Sequence, residues 1–345
     1  MDAAQYSVVP VHFLRDQAFP NAINVLPGVV LRPLTGRLKA AIDSVQPTAP
    51  RAAQQPGLFA KHAIVIDREA YLAALDTRLK SEGSSRPGPP DGWPDVPDER
   101  AIVRQVLVAL LLSSREVHWA YRGDFYLSMK HGHYTCHGHG HHQHVTGPYD
   151  AAWRSPPAGW FIPPNPAVFR RTAAALDAYY RTGSWWWDRL SVALGYLWGA
   201  LESRQTHLSF VSLSMSLEAI CLPGRQEISH QLATRCALLA ETDSDKRIVV
   251  YRSFKQLYGM RSSIVHGNPG LKIGKAITSN TLFIGAKHSN APAEQLFEIL
   301  GLTIRVLNGV IADERLMKIL RLKQKEEDAQ KQIDDYFLLR TLGST

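Results

Sequence analysis

Cysteine is scarce in this chain of 345 residues, which has only Cys136, Cys221 and Cys236. So small and odd a number excludes a disulfide scaffold and is typical of proteins in the reducing cytosol. The first residues, MDAAQYSVV, lack the basic segment and apolar run of a secretory signal peptide. Charged residues interrupt the most apolar stretch before it reaches the length that a bilayer requires. The sequence therefore predicts a cytoplasmic protein without a membrane segment.

Acidic residues are outnumbered by basic ones. The 39 lysines and arginines and 31 aspartates and glutamates give a formal net charge of +8 and a sequence pI of about 9.4. This balance favours a polyanionic partner such as nucleic acid over an acidic small molecule. Because 45% of the residues are hydrophobic, the chain can bury a substantial core, which excludes disorder of the whole chain.

The first part of the chain has the pattern of a small mixed α/β region. Residues 1–81 contain the β-rich pieces YSVVPVHFL, NVLPGVVLRPL and KHAIVID and the helical piece REAYLAALDTRLK. Residues 82–98 concentrate proline, glycine and acidic residues, so we expect a linker. Residues 99–165 continue the N-terminal region, beginning with a helix, or a helix that leads into a strand.

Helical periodicity dominates from residue 166, and we expect a helical domain over residues 166–322. Its stretch VSLSMSLE alternates apolar residues with serine, which is typical of a strand, but its helical neighbours favour a helix in which serines allow close helix packing. Residues 323–345 predict a charged, solvated helix whose apolar end docks on a partner protomer or on the N-terminal region. The predicted fold class is α+β, a mixed α/β region followed by an all-α bundle.

A histidine-rich tract, HGHYTCHGHGHHQH, occupies residues 131–144. With Cys136 it has the ligand types that Zn²⁺ and Ni²⁺ prefer, and the candidate metal ligands are His137, His139 and His141. The interleaved glycines favour a flexible loop of low complexity instead, with incidental metal affinity. We therefore expect no catalytic metal at this tract.

An arginine interrupts the apolar pattern of the segment LYGMRSSIVHGNPG, residues 257–270. Phe254, Tyr258, Arg261 and Val265 are spaced four, three and four residues apart, which predicts one stripe of a helix. A guanidinium there needs a carboxylate, a carbonyl or a phosphate as partner, because burying it unpaired costs several kcal/mol. Glu218, two helices earlier, is the expected partner.

His266 follows Arg261 by five residues and precedes Gly267, which ends helices well. It is therefore predicted in the last helical turn, where the helix dipole stabilises the imidazolium form. A phosphate-binding arginine beside a proton-exchanging histidine is suited to RNA cleavage by the 2′-hydroxyl, without a metal. The spacing alone is weak evidence for a catalytic pair, because a second Arg-x4-His runs from Arg225 to His230. Both motifs also suit ordinary helix capping.

Three pieces of sequence carry a family resemblance. They are Leu217-Glu218-Ala219, the run LATRCA at 232–237, and the run LYGMRSSIVHG at 257–267. Their order is similar to the Apea-like group of HEPN domains, which has a Leu-Glu-Ala helix, a helix with an L-A-x-R-x-A-x-L face, and a long helix ending L-Y-x-x-R-S-x-I-V-H-G. The likeness covers about residues 205–320 and selects the later of the two Arg-x4-His copies.

The resemblance implies an all-α bundle and, as in the active HEPN members, a metal-independent endoribonuclease whose site forms where two domains pair. It implies Arg261 as the phosphate-binding cation, His266 as the proton-transfer group and Ser262 as the accompanying polar residue. A single matching pair then implies a homodimer that cleaves RNA with no cofactor. The family further suggests a prokaryotic defence or toxin role, in which the N-terminal region senses or restrains through an unidentified regulatory partner.

Two other functions remain open on the residues alone. Arg261 and His266 also suit a non-catalytic module that binds RNA or protein, in which they tie the helix end to Glu218 and to a dimer partner. The histidine tract suits a metal-dependent enzyme, which a chelator would inactivate.

Overall fold

A computed structural model of the protein describes residues 4–13, 21–43, 61–81, 99–115, 118–120, 123–130, 133–141, 158–163, 165–180, 189–203, 205–221, 228–266, 291–321 and 326–342. Within these ranges the chain is mostly helical, with an antiparallel sheet in its N-terminal part. The coarse α+β prediction is therefore confirmed. The predicted linker at 82–98 lies outside the described residues.

The N-terminal sheet contains seven described strands, which are β1 Ala4–Phe13, β2 Ile23–Leu26, β3 Val29–Pro33, β4 His62–Asp67, β5 His118–Ala120, β6 Gly123–Lys130 and β7 His133–His141. The strand order is β2-β3-β4-β1-β6-β7, and every pairing is antiparallel. β5 pairs with Val11–Phe13 at the end of β1, beyond the part of β1, Ala4–Val8, that pairs with β6. The three β-rich pieces predicted in residues 1–81 correspond to β1 to β4.

In the described part of this region four helices accompany the sheet, which are α1 Gly36–Asp43, α2 Arg68–Ser81, α3 Glu99–Ser114 and α4 Pro166–Tyr180. Leu38 and Ile42 of α1, together with Leu34 just before the helix, pack with Val8 and Val65 of the sheet to form one buried cluster. This spacing of four residues is that of one helix face. The sequence analysis did not predict α1, because its short apolar stripe lies between basic residues.

The predicted flexible loop at the histidine tract is wrong over most of its length, because His133–His141 form strand β7. The backbone of β7 pairs along β6, from Lys130 opposite His133 to Gly123 opposite His141, with a register shift near Tyr126. A neighbouring strand supplies the hydrogen-bond ladder that a glycine-rich segment does not specify alone. His137, His139 and His141 are therefore strand residues, and His131 and His144 lie outside the described residues.

Backbone contacts divide the chain into two compact units. The first comprises Met1–Gly147 and Phe161–Ala178, and the second comprises Pro148–Trp160 and Tyr179–Thr345. Most of α4 thus belongs with the sheet, although its periodicity alone placed it at the start of the helical region. In the first unit, the buried Tyr71 hydroxyl of α2 donates a hydrogen bond to Asp177 of α4 at 2.8 Å.

The second unit is mostly helical in its described residues. Its helices are α5 Arg189–Glu202, α6 Thr206–Cys221, α7 Ile228–Ala240, α8 Ser244–Val265, α9 Ala291–Ala312, α10 Glu314–Arg321 and α11 Glu326–Leu342. α6 lies at the centre and packs against α5, α7, α8 and α9. None of the helices in the described ranges has the length and apolar character needed to cross a membrane.

The alternating segment VSLSMSLE is part of helix α6, as predicted. Phe210, Leu213 and Leu217 are fully buried, and so are serines on other faces of the helix. Two of these serines bond to α5: Ser209 Oγ donates to the Ala200 carbonyl and Ser216 Oγ to the Ala193 carbonyl, both at 2.7 Å. Because these serines flank the apolar residues on the wide buried side of α6, while Val211, Met215 and Glu218 on the opposite side are half-buried, its sequence has no single apolar stripe.

The predicted continuous helix over residues 291–321 is broken at Asp313, which separates α9 from α10. The Asp313 carboxylate accepts a hydrogen bond from the Leu316 backbone N–H at 2.9 Å and so caps α10. Tyr336 and Arg340 of α11 also donate to this carboxylate. α11 therefore packs on α7 and α10 of its own unit through Tyr336 and Phe337, whereas Leu338 and Leu339 are exposed, and docking of this apolar end on a partner stays a prediction.

The junction around Asp313 predicts a pH response of α11. Burial and the hydrogen bond to Asp313 raise the pKa of Tyr336 to about 12. The stabilisation by its protonated hydroxyl is therefore complete below the ordinary pKa of 10.0 and is lost as the pH rises to about 12. We expect urea unfolding across this window to show a loss of stability that Tyr336→Phe reduces, whereas the control Tyr196→Phe, on α5, leaves it in place.

Asp313 at the same junction gives a pH dependence of stability with the opposite sign, at acid pH. Burial by itself raises the pKa of Asp313, but the hydrogen bonds from Tyr336 and Leu316 and the charge of Arg340 together lower it below 3.8. The stabilisation is therefore present above this value and is lost as the pH falls through the folded-state pKa. Asp313→Asn should remove this acid dependence, and an unchanged acid midpoint would contradict the assignment.

A close helix contact predicts a large packing effect at Gly309. A Cβ at Gly309 of α9 would lie 2.4 Å from the backbone oxygen of Leu239 on α7, which cannot rotate away. We expect Gly309→Ala to lower the free energy of unfolding by about 2–3 kcal/mol, measured by urea denaturation. Gly195→Ala is the matched control, because nothing lies within 4 Å of its Cβ and alanine favours a helix by about 1 kcal/mol.

Candidate functional site

Helix α8 carries the Arg-x4-His motif at its C-terminal end, and both of its ends are capped. At the start, the Asp243 carboxylate accepts hydrogen bonds from the backbone N–H groups of Asp245 and Lys246 at 3.0 and 3.3 Å. The bonds from Lys246 and Asp245 lower the pKa of Asp243. At the end, the His266 backbone N–H donates to the Ser262 carbonyl at 3.0 Å. The predicted position of His266 is therefore confirmed.

The buried line of α8 differs from the stripe expected from the sequence. The buried residues are Val250, Phe254, Leu257 and Met260, whereas Val265 is 52% exposed. Phe254 alone of the expected stripe is fully buried. Arg261 lies beside the buried line, and its side chain is 24% exposed, so this cation reaches solvent at one edge.

Arg261 is paired with Glu218 of α6, the carboxylate that the sequence suggested. The Arg261 Nε atom lies 3.3 Å from Glu218 Oε1, and Nη2 donates to Oε2 at 3.4 Å. Glu218 also accepts a hydrogen bond from Ser214 Oγ at 3.1 Å, which orients the carboxylate from its own helix. The guanidinium carbon lies 5.8 Å from the centroid of the Tyr258 ring. The Arg261 guanidinium is thus held by the Glu218 carboxylate and by the Tyr258 ring.

The contact with Glu218 leaves donors of Arg261 unused. A guanidinium has five N–H donors, and within the described residues only Nη2 of Arg261 makes a hydrogen bond. The Nε–H lies near Glu218 but is not aligned for a hydrogen bond with any described acceptor. Both distances from the guanidinium nitrogens to Glu218 are long compared with a charge-assisted hydrogen bond, which is usually about 2.7–2.9 Å. Because Nε is itself buried, an anion with oxygen acceptors can bind only the unused donors on the two Nη atoms.

Ser262 and His266 lie on a more open part of the same helix end. Ser262 is half-buried and His266 is exposed. Five residues of α-helix turn the chain through about 140° net and advance it by about 7.5 Å, so Arg261 and His266 leave α8 in different directions. One protomer alone therefore does not present both groups on one face of the helix.

Arg235 of α7 supports the end of α6 next to Glu218, a role that the sequence analysis missed. Its Nη1 donates to the Cys221 carbonyl at 3.0 Å, and Nη2 pairs with Asp334 of α11. The guanidinium also lies 5.1 Å from the centroid of the Phe337 ring. The motif L-A-x-R-x-A contained the signal, because an arginine on a buried helix face requires acceptors.

The two cysteines of the helical unit are core residues. Cys221 and Cys236 are fully buried, and their sulfur atoms lie 3.5 Å apart as free thiols. Burial and the hydrogen bond with Cys221 raise the pKa of the Cys236 thiol. Such a thiol is protonated and inert at neutral pH, so it contributes packing and not nucleophilic chemistry.

The other predicted candidates do not belong to α8. His230 of the second Arg-x4-His copy is an exposed residue of α7, and Arg225 lies outside the described residues. His137, His139 and His141 belong to the sheet of the first unit. Where side chains are described, no group of three or more histidine, cysteine, aspartate or glutamate residues is placed to hold a metal ion.

No family model matches the chain, and searches of curated proteins and of solved structures find no match. The case for a function therefore depends on the motif and on the geometry of these side chains.

Proposed function

We propose that the protein is a HEPN-type endoribonuclease, a cytoplasmic enzyme that acts as a homodimer and cleaves RNA without a metal. Arg261 binds the phosphate, His266 transfers the proton and Ser262 supplies a further polar contact. Glu218 positions Arg261. In this proposal the enzyme serves prokaryotic defence as a toxin or effector, and the N-terminal unit responds to a regulatory partner.

The observation that carries the proposal is the state of Arg261. Its guanidinium is oriented by Glu218 and Tyr258, is partly exposed, and retains N–H donors without a partner among the described residues. A cation fixed before substrate binds is the arrangement that stabilises developing charge most strongly, because little reorganisation accompanies the reaction. The net charge of +8 favours the approach of a polyanion.

The directions of the two side chains support the dimer. Since Arg261 and His266 leave α8 about 140° apart, a phosphate held by one is poorly placed for the other within a single chain. A second copy related by a two-fold axis brings the arginine of one protomer toward the histidine of its partner. The composite site then contains two copies of each group.

The reaction requires that one proton is removed from the 2′-hydroxyl and that one proton is given to the departing 5′-oxygen. A histidine accepts the proton of the 2′-hydroxyl, whose oxygen forms a bond to the adjacent phosphorus while the bond to the 5′-oxygen breaks. The departing oxygen takes a proton from an imidazolium, and the products are a 2′,3′-cyclic phosphate and a 5′-hydroxyl. Arg261 binds the phosphoryl oxygens, where negative charge grows in the transition state.

The test is cleavage of single-stranded RNA by the full chain in the presence of EDTA. We expect shortened products with 2′,3′-cyclic phosphate ends, which a phosphatase removes only after acid opens the ring, and a dimeric mass in solution. Loss of all cleavage on chelation, or product ends bearing a 5′-phosphate, would overturn the proposal in favour of metal-dependent hydrolysis.

The second candidate is a non-catalytic module that binds RNA or protein, and the ion pair between Arg261 and Glu218 favours it. A cation that already has a counter-charge can serve to join α8 to α6 and nothing more. In that case the wild-type protein leaves RNA intact, while replacing Arg261 lowers only the stability of the helical unit.

A further inference from the structure

A face of α8 away from its buried line carries aromatic rings beside cations. The Lys255 Nζ atom lies 5.8 Å from the centroid of the Tyr251 ring, and the Arg261 guanidinium carbon lies 5.8 Å from that of Tyr258. Both tyrosines are half-buried, while Lys255 is exposed. The tyrosines are seven residues apart, which places them on one side of the helix and about 10 Å apart along its axis. Two similar aromatic–cation pairs thus follow each other along α8.

A residue of α7 fixes the first of these rings. The His230 Nδ1 atom lies 3.0 Å from the Tyr251 hydroxyl, and the two rings meet edge to face with centroids 5.8 Å apart. His230 is itself exposed. Tyr251 is therefore an ordered ring at the surface, and ordering before binding reduces the entropy lost on association.

The aromatic–basic face consists of Tyr251, Lys255, Tyr258 and Ser262. In an ideal helix these four residues lie within about 60° of arc, and the line continues to His266, about 22 Å from Tyr251 along the axis. It therefore runs from the aromatic–cation pairs to the proposed proton-transfer group. A single strand of several nucleotides fits this length.

The charge of this face identifies its ligand. Lys255 and the neighbouring Arg252 are exposed, and neither is paired with a carboxylate among the described residues. Lys246, near the start of the same helix, is by contrast paired with Asp243 at 3.5 Å. Unpaired cations beside aromatic rings suit a phosphate backbone with unstacked bases, whereas a second copy would bring like charges together.

We propose that the aromatic–basic face binds single-stranded RNA and guides it along α8 to His266, an inference that rests on the proposed function. Bases stack on Tyr251 and Tyr258, and Lys255 binds a phosphate between them. Stacking uses the ring of any base, so this face selects single strands and not a particular sequence. The proposed substrate class is therefore unpaired RNA.

Binding is measured by fluorescence anisotropy with a labelled oligouridine, on full-length protein carrying His266→Ala so that the probe stays intact. We expect Tyr251→Leu to weaken binding about tenfold and Tyr251→Phe, which keeps the ring, to bind nearly as well as its parent. Lys255→Ala should lower the slope of log affinity against log salt by about 0.7. Lys246→Ala is the matched control and should leave the slope unchanged.

Three results would overturn the inference. They are equal salt slopes for Lys255→Ala and Lys246→Ala, unchanged affinity of Tyr251→Leu, and a change of oligomeric state in these variants, which would make the face an interface between copies. Thermal unfolding identifies any variant that misfolds, and the exposed Lys255 provides a substitution that leaves the core intact. If RNA binding depends on this face but the wild-type protein does not cleave RNA, the binding inference stands and only the proposed nuclease activity is refuted.

Discussion

Replacing His266 by alanine is expected to lower the rate of RNA cleavage by about 10²–10⁴-fold while the helical unit stays folded. Proton transfer by a positioned side chain accounts for a rate factor of this size. His266 is exposed, and its capping hydrogen bond comes from its backbone N–H, which alanine retains. Single-turnover cleavage of labelled RNA with EDTA present measures the rate, and circular dichroism on heating measures the fold.

The matched control is His207→Ala, because His207 is a half-buried histidine of α6 that lies outside the proposed machinery. It should cleave at the wild-type rate. If His266→Ala cuts RNA as fast as His207→Ala, His266 transfers no proton and the proposed mechanism is wrong. If His266→Ala unfolds at a clearly lower temperature, the residue serves the structure of the helix end.

Replacing Arg261 by alanine should lower the cleavage rate by about 10²–10³-fold, the usual effect of removing one donor that stabilises transition-state charge. Arg261→Lys should restore little of it. A lysine keeps the positive charge but lacks the planar fork that can pair with Glu218 and a phosphate at the same time. Rates at saturating RNA separate this loss from weaker binding.

Arg261 also contributes to stability, and the two roles are separable. Its removal leaves Glu218, whose side chain is 20% exposed, without a counter-charge, which should lower the free energy of unfolding by about 1–2 kcal/mol. Glu218→Gln keeps the arginine and should retain much of the cleavage while losing similar stability. Arg305→Ala removes a longer pair with Glu241 at 3.8 Å and is the control for cleavage, whose rate it should leave unchanged; Glu241 keeps its hydrogen bonds from the backbone N–H groups of Thr242 and Asp243. Equal cleavage by Arg261→Ala and Arg305→Ala would favour the non-catalytic module.

Features that depend on residues close together in the sequence, or on the need of a buried charge for a partner, were predictable from the sequence. The end of α8 near His266 follows from Gly267 and from the loss of periodicity, and the partner of Arg261 follows from the need of a semi-buried cation for a carboxylate. The helical state of α6 was predictable from its neighbours, although its alternating serines favour a strand in isolation. Whether Arg261 and His266 form an active site was not decided by these rules.

The misses share a physical origin. The histidine tract forms β7 because β6 supplies its hydrogen-bond partners, and residues 123–130 are not identifiable as that partner from their own pattern. α11 docks on α7 and α10 because Asp313 and Arg235 supply partners for Tyr336, Arg340 and Asp334. Such contacts join residues that are far apart in sequence, where periodicity carries no information.

By itself, the sequence determined the α+β class, the bounds of most helices, the motif at residues 261–266 and its carboxylate partner, because propensity, capping and amphipathic spacing act over a few neighbouring residues. Only the tertiary structure decided that Val265 is exposed while Met260 is buried, that Arg261 keeps unused donors, and that Tyr251 stands beside Lys255 and His230. These features depend on how α6, α7 and α8 pack, and packing is a property of distant segments brought together.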